Sequence, residues 1–357
     1  MKKILLISNK IMHYRVSVYN YFHKRFAEEG YEFSVIADKM QKENRFKPVF
    51  DFKEIPFKFS KYIDEIKKLR PDFVIIFLHI KDFIIWPLVY WLRMKKIPVI
   101  FWTKGANLDD PENFFRNVLF RKLHTLCDGL ILYSPKEINF IMKKNRNKVS
   151  VANNTINFSD FPEVTESPEE IKKSLGINYR KIVLFVGRMG IGGERKKVDH
   201  LIKIFGEIDN PDYGLIIVGS GLSDSLKACI NPKNTIYLGE IHDPEQVMIS
   251  RIFKMSDLFV IPGHIGLGIN QANFWGLPVI TEEGKQPPEI QYLIDGVNGY
   301  IVKENDIVSL KEKMISLLEN DNLRLKFSDE SRKNIMKNGS TESMFGGFLE
   351  SVKKLDK

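Results

Sequence analysis

Twice along the chain, short apolar runs alternate with longer segments of mixed polarity. In the first half the runs are "KILLIS", "EFSVIA", "FVIIFL", "PVIFW" and "GLILYS"; in the second they are "KIVLFVG", "GLIIVG", "TIYLG", "LFVIPG", "LPVIT" and "GYIV". Runs this short and this apolar read as strands buried on both faces, and the segments between them, such as Tyr14 to Glu29, are long enough for helices. Each half therefore predicts βαβ units around a parallel sheet. The expected fold is α/β: two Rossmann-like, doubly wound domains in series facing a central cleft, with ligands at the carboxyl ends of the strands. The stretch "SDFPEVTESPEE" reads as a linker followed by a helix capped near Ser167. The domains expected are thus 1–165 and 166–340, with a C-terminal helix in 341–357 packing back on the first.

Composition narrows the class. The 357 residues suit two domains, each large enough to bury a core. Cys127 and Cys229 have no Cys or His at ligand spacing, so neither a disulfide framework nor a metal site is expected, and a reducing, cytoplasmic compartment is the simplest setting. The start "MKKILLISNK" resembles a signal peptide only superficially, since its apolar run ends at Ser8, and it is better read as a first buried strand. The apolar region from Phe73 to Trp102 is broken by Lys81, Asp82, Arg93, Lys95 and Lys96, so no membrane crossing is predicted.

Charge is unevenly shared. Residues 1–165 hold 29 Lys and Arg against 18 Asp and Glu, a net +11, whereas the rest is −2. The excess fits either an anionic partner for the first half, such as a membrane surface, or a plain solvated surface. Nucleic acid is not expected, because no recognised binding module appears. The segments "WPLVYWLRMKK" and "FFRNVLFRKL" mix aromatic and basic residues as interfacial helices do; buried helices with basic ends read the same way.

Three strand-to-loop junctions of the second half aim at the expected cleft. In "FVGRMGIGGERKKVDHLIKIF" a strand ends at Val186, a glycine-rich loop opens with Gly187, and Arg188 and Lys196 stand where backbone amides and a helix start favour an anion. A pyrophosphate suits them, because Arg offers a planar donor fork and Lys a movable point charge. In "LIIVGSG", Gly219 and Gly221 form a tight turn at the next strand end, within reach of a nucleotide. In "VIPGHIGLGINQANFWGLPVI", Gly263, Gly266 and Gly268 leave amides free before a helix beginning near Leu267, and Gln271 can hydrogen-bond a ribose diol. Glu240 and Ile241 follow another strand and offer main-chain groups to a nucleobase. Glu289 either faces the cleft or favours its own helix start. In the first half, His13 and Arg15 open the first helix, His13 as a candidate base or sugar contact, and Lys104 follows a strand end where it can touch an anionic group.

In this order the motifs resemble the retaining glycosyltransferases of the GT-B fold, family 4, over nearly the whole chain and most strongly from Lys181 to Val302. "VGRMGIGGERKKVDHLIKIF" is similar to the family's Gly-Arg, Lys and Val-Asp element, whose Arg and Lys bind the donor diphosphate; Arg188 and Lys196 match position for position. "HYRVSVYNYF" resembles the start of a subgroup acting on bacterial surface polysaccharides, such as capsule or lipopolysaccharide. The family's two glutamates, eight positions apart, fall on Gly263 and Gln271, and its N-terminal His-Gly falls on Lys104-Gly105. The resemblance implies a nucleotide-sugar donor, retention at the anomeric carbon, no essential metal or cofactor, and a lipid-linked or oligosaccharide acceptor. A lipid-linked, diphosphate-bearing acceptor at the inner face of the plasma membrane would explain both the charge and the aromatic residues of the first half. A silent GT-B subunit binding a partner transferase and a nucleotide-sugar epimerase are the alternative readings.

Overall fold

A computed structural model describes residues 1–41, 46–77, 82–108, 110–111, 113–190 and 194–356. Leu78 of the third expected strand and Ile191, Gly192 and Gly193 of the glycine-rich loop lie outside the described residues. The chain divides into two compact units, Met1–Asn157 with Ser340–Lys357, and Phe158–Gly339.

The first unit is built on a seven-stranded sheet. Its strands are β1 (Lys2–Ile11), β2 (Tyr31–Met40), β3 (Asp51–Glu54), β4 (Phe73–Phe77), β5 (Val99–Thr103), β6 (Gly129–Leu132) and β7 (Val149–Val151). Their order is β3-β2-β1-β4-β5-β6-β7, every pairing parallel. Helices α2 (Phe59–Leu69), α3 (Ile85–Met94) and α4 (Phe114–Leu126) share one core, where Tyr62, Leu88, Leu92 and Leu123 meet Val74, Ile76 and Phe101. The other core brings α1 (His13–Glu28) together with the C-terminal helix (Thr341–Lys353). Phe348 lies 4.8 Å from the Phe22 ring and 5.1 Å from that of Trp102, and Phe345 lies 4.9 Å from Phe26, so the end of the chain completes the first unit.

The second unit begins at Phe158 rather than after Thr165, because Phe158 and Phe161 pack on Phe274, with rings 5.1 and 5.0 Å apart. Helix α5 (Pro168–Ser174) starts where expected: Ser167 Oγ accepts from Glu170 N at 3.2 Å while the Glu170 carboxylate accepts from Ser167 N at 2.7 Å. The strands are β8 (Lys181–Val186), β9 (Tyr213–Val218), β10 (Thr235–Gly239), β11 (Leu258–Val260), β12 (Val279–Glu282) and β13 (Gly299–Val302). Their order is β10-β9-β8-β11-β12-β13, again wholly parallel. Between them run α6 (Val198–Glu207), α7 (Asp224–Ala228), α8 (Val247–Met255) and α9 (Gly268–Phe274); α10 (Ile307–Glu319) and α11 (Asp321–Asn338) follow, and the C-terminal helix is α12.

Candidate functional site

Chain connections in the second sheet diverge between β8 and β11, the one place where neighbouring strands send their loops in opposite directions and leave room at the carboxyl edge. Gly187 and Arg188 leave β8 there, and residues 261–267 leave β11. A short 3-10 turn, Glu194–Lys196, laces the two loops together. His264 N donates to Arg195 O at 2.8 Å and Gly263 N to Lys196 O at 3.1 Å. Gln286 braces the same turn, its amide donating to Gly263 O at 3.0 Å and to Glu282 O at 2.9 Å, while its carbonyl oxygen accepts from Ile265 N at 3.1 Å.

This lacing corrects one expectation. The Gly263 amide is already bonded within the protein, and a Cβ at Gly263 would lie 1.7 Å from Arg195 O. Gly263 is therefore a contact of backbone on backbone rather than an open donor. No side chain, acidic or otherwise, fits this position without moving the turn.

Lys196 runs across Gly187, where a Cβ would lie 2.6 Å from its Cδ and Cε. Its ammonium reaches the β11 loop and donates to His264 O at 3.0 Å and Ile265 O at 3.3 Å. Gly266 has φ +63° and stands beside it, with its absent Cβ position 4.0 Å from Nζ. Among the described residues no carboxylate pairs with Lys196. Burial disfavours its charge, and the neighbouring Arg195 adds repulsion, so its pKa is pushed down to about 8. An ammonium held on neutral carbonyls, without a counterion among the described residues, is chemically able to receive an anion. Arg188, on the adjoining strand end, is exposed and makes no hydrogen bond or ion pair to a described residue.

The next residue behaves in the opposite way. Lys197 donates to Glu282 Oε2 at 2.9 Å, Glu304 Oε1 at 3.1 Å and Asn305 Oδ1 at 2.8 Å. Glu282, wholly buried at the end of β12, also meets His200 Nδ1 at 2.6 Å and accepts from Asn305 N at 2.9 Å. Burial alone raises its pKa, but hydrogen bonds from His200, Asn305 and Lys197 outweigh it and hold the carboxyl below its ordinary value. Sequence reasoning missed Lys197, His200, Glu282 and Gln286; the doubled lysine was the only local signal.

The remaining expected residues of this unit sit along the same strand ends. Gly219, with φ +132°, lies against Gly187 and donates from N to Gly239 O at 2.7 Å, and Gly221 lies against Gly190. Glu240 is exposed and Ile241 half-buried just past β10. Leu267 caps α9, Gly268 opens it close to the Phe259 ring, and Gln271 is half-buried with no side-chain hydrogen bond to a described residue. Glu289 is buried in the first turn of the short helix Pro288–Tyr292, which makes it part of the packing there rather than an open contact.

In the first unit His13 is exposed at the start of α1, its Nδ1 3.2 Å from Gln41 Oε1. Lys104 is exposed after β5 and has no partner among the described residues. Arg15 is a correction. It is buried, stacks 4.8 Å over the Trp102 ring, and donates to Asn154 Oδ1 and to Thr155 O at 3.5 Å, so it ties α1 to the strand end beyond β7 and is not open to an acceptor. The two aromatic-basic segments are α3 and α4, each buried along one face only. Outward stand Tyr90 and Met94 of α3 and Phe114, Phe115, Val118 and Leu119 of α4, with Phe115 84% exposed. No helix among the described residues is long and apolar enough to cross a membrane.

Comparison with known proteins agrees with this architecture. Residues 167–334 match the family Glycosyl transferases group 1. A glycosyltransferase of Methanocaldococcus jannaschii is 30% identical over 267 residues, covering 69% of this chain and 65% of that protein, so this chain spans just under two thirds of that relative's length. The capsular polysaccharide biosynthesis glycosyltransferase CapM of Staphylococcus aureus is 26% identical, with 70% of each chain covered. The crystal structure of Anabaena HepE in complex with UDP superposes with a TM-score of 0.75 over 99% of this chain and 100% of that one at 12% identity, a likeness of fold alone. The two Rossmann-like parallel sheets are those of a GT-B fold, and residues 167–334 form a domain of the glycosyl transferases group 1.

Proposed function

We propose that the chain is a retaining glycosyltransferase. It moves a sugar from a nucleotide-sugar donor, a UDP-sugar in the first instance, to a lipid-linked or oligosaccharide acceptor in cell-surface polysaccharide synthesis. The observation that carries this reading is the Lys196 ammonium, half-buried on two carbonyl oxygens at the switch point of the second sheet with no carboxylate beside it among the described residues. The donor's diphosphate supplies the missing charge. As the glycosidic bond breaks, negative charge grows on that diphosphate, and a fixed ammonium with Arg188 beside the same strand end stabilises it more in the transition state than before. Gln271 addresses the ribose, and the backbone past β10, at Glu240 and Ile241, addresses the base. His13 and Lys104 fall to the acceptor side. HepE was crystallised with UDP, and CapM is named for capsule synthesis; both support the choice of donor and pathway class.

The reading needs no metal and no cofactor, so chelation leaves turnover unchanged. It is tested by thermal shift of the full chain against UDP-, GDP- and dTDP-sugars, since binding only the folded form raises the melting temperature. One donor raises it, and Lys196→Ala and Arg188→Ala each abolish most of that shift and of sugar transfer. Full activity in both variants refutes the phosphate site. Epimerised free donor in the absence of acceptor points instead to the epimerase.

A further inference from the structure

Lys197 occupies a backbone conformation that is uncommon for lysine. Its φ and ψ are 52° and 47°, the left-handed region, at the N-cap of α6. Glycine takes that conformation without strain, whereas a side chain there carries a cost. Here the side chain is held by the three oxygen partners of its ammonium, from β12 and from the loop after β13. The segment 195–197 is thus anchored twice. The carbonyls of Arg195 and Lys196 hold the β11 loop, and the Lys197 side chain holds buried Glu282, itself oriented by His200. Lys196 lies between the two anchors.

We propose that Lys197 is a positioning residue: its clip on Glu282 and His200 fixes the 3-10 turn so that the neighbouring Lys196 ammonium stays aimed at the anion bound beside Gly266. The proposal rests on the reading of Lys196 as the diphosphate contact. Two adjacent lysines then divide one task, the saturated ammonium setting the place of the unsaturated one. Lys197 does not touch the ligand, so its effect passes through Lys196 and disappears when Lys196 is gone.

The experiment is a double-mutant cycle on the full chain, read by calorimetric titration with UDP and with inorganic pyrophosphate, which lacks the base. Lys197→Gly removes the clip while suiting the left-handed backbone, and it weakens both ligands about tenfold; Lys197→Arg restores most of the affinity. Lys196→Ala weakens them at least as much, and the double variant is no weaker than Lys196→Ala alone. Additive losses in the double variant, or unchanged affinity in Lys197→Gly, overturn the positioning role. Unchanged affinity in Lys196→Ala, or no binding to the natural chain, overturns the diphosphate reading instead. Should Lys197→Gly melt below the titration temperature, Lys197→Asn, which tolerates the left-handed backbone but is too short to reach Glu282, is judged by the same cycle.

Discussion

At the scale of single residues, the site depends on which charges are satisfied and which are not. Lys196, with its pKa pushed to about 8, loses charge as the pH rises through that value, and a diphosphate prefers the charged form. UDP affinity therefore falls from neutral pH towards pH about 9.5, and Lys196→Arg, which stays charged, flattens that fall; a flat profile in the natural chain refutes the assignment. His124 is the converse case, buried on α4 with neither ring nitrogen hydrogen-bonded to a described residue and its pKa pushed down to about 4, chiefly by burial and then by Lys148. The unfolded chain takes up this proton near pH 6.5 and the folded one only near 4. The contribution is complete above about 6.5 and is lost as the pH falls to about 4, on the order of 3 kcal/mol in all. Urea unfolding at pH 7.5 and 5 measures it, and His124→Leu removes this part of the acid sensitivity. Of these residues, the placement of Arg188 and Lys196 past a strand end was legible in sequence because the strand end, glycines and basic residues follow one another closely. Arg15 misled, because its stacking on Trp102 and its bond to Asn154 join residues far apart in the chain.

At the scale of elements, the strands that were legible lie in runs with three or more apolar residues, the edge strands β10 and β13 among them. β3, "DFKE", and β7, "VSV", were missed because they are short, polar edge strands whose only apolar signal is one or two residues. The site is the mirror image of this. Its glycines were visible, but their purposes were not, since Gly263 answers to Arg195 O from a different loop. Gly263→Ala forces the 3-10 turn and the β11 loop apart, with Lys196 riding on the turn. Donor affinity then drops by about tenfold or more while the sheet, whose pairs the change does not touch, keeps its circular dichroism. Wild-type affinity in this variant means that the turn yields without moving Lys196, and the lacing has no functional weight.

At the scale of the whole molecule, the two halves carry different charge and different surfaces, a net +11 before residue 166 and −2 after it. The excess is accompanied by a specific face. From Phe83 to Leu108 and from Asn113 to Cys127 the chain contains no acid. α3 and α4 turn Tyr90, Met94, Phe114, Phe115, Val118 and Leu119 outward, and Arg121 lies 4.7 Å over the Phe114 ring. Lys122 Nζ stands 6.0 Å from the Trp86 ring, which places the two helices side by side on one core. Apolar rings amid cations, with no acid within either helix, match an anionic lipid surface, where each basic residue near the headgroups contributes about 1 kcal/mol. A solvated lysine surface gives the same net charge but no role to the rings. Flotation of the full chain with vesicles containing phosphatidylglycerol separates the two. If the rings insert, the chain floats with anionic vesicles and not with neutral ones, raising the salt to about 0.5 M weakens it, and Phe114→Ser with Phe115→Ser abolishes it at unchanged charge. Flotation that survives the loss of both rings reduces the interaction to charge alone, and its absence at low salt removes the membrane from the functional account.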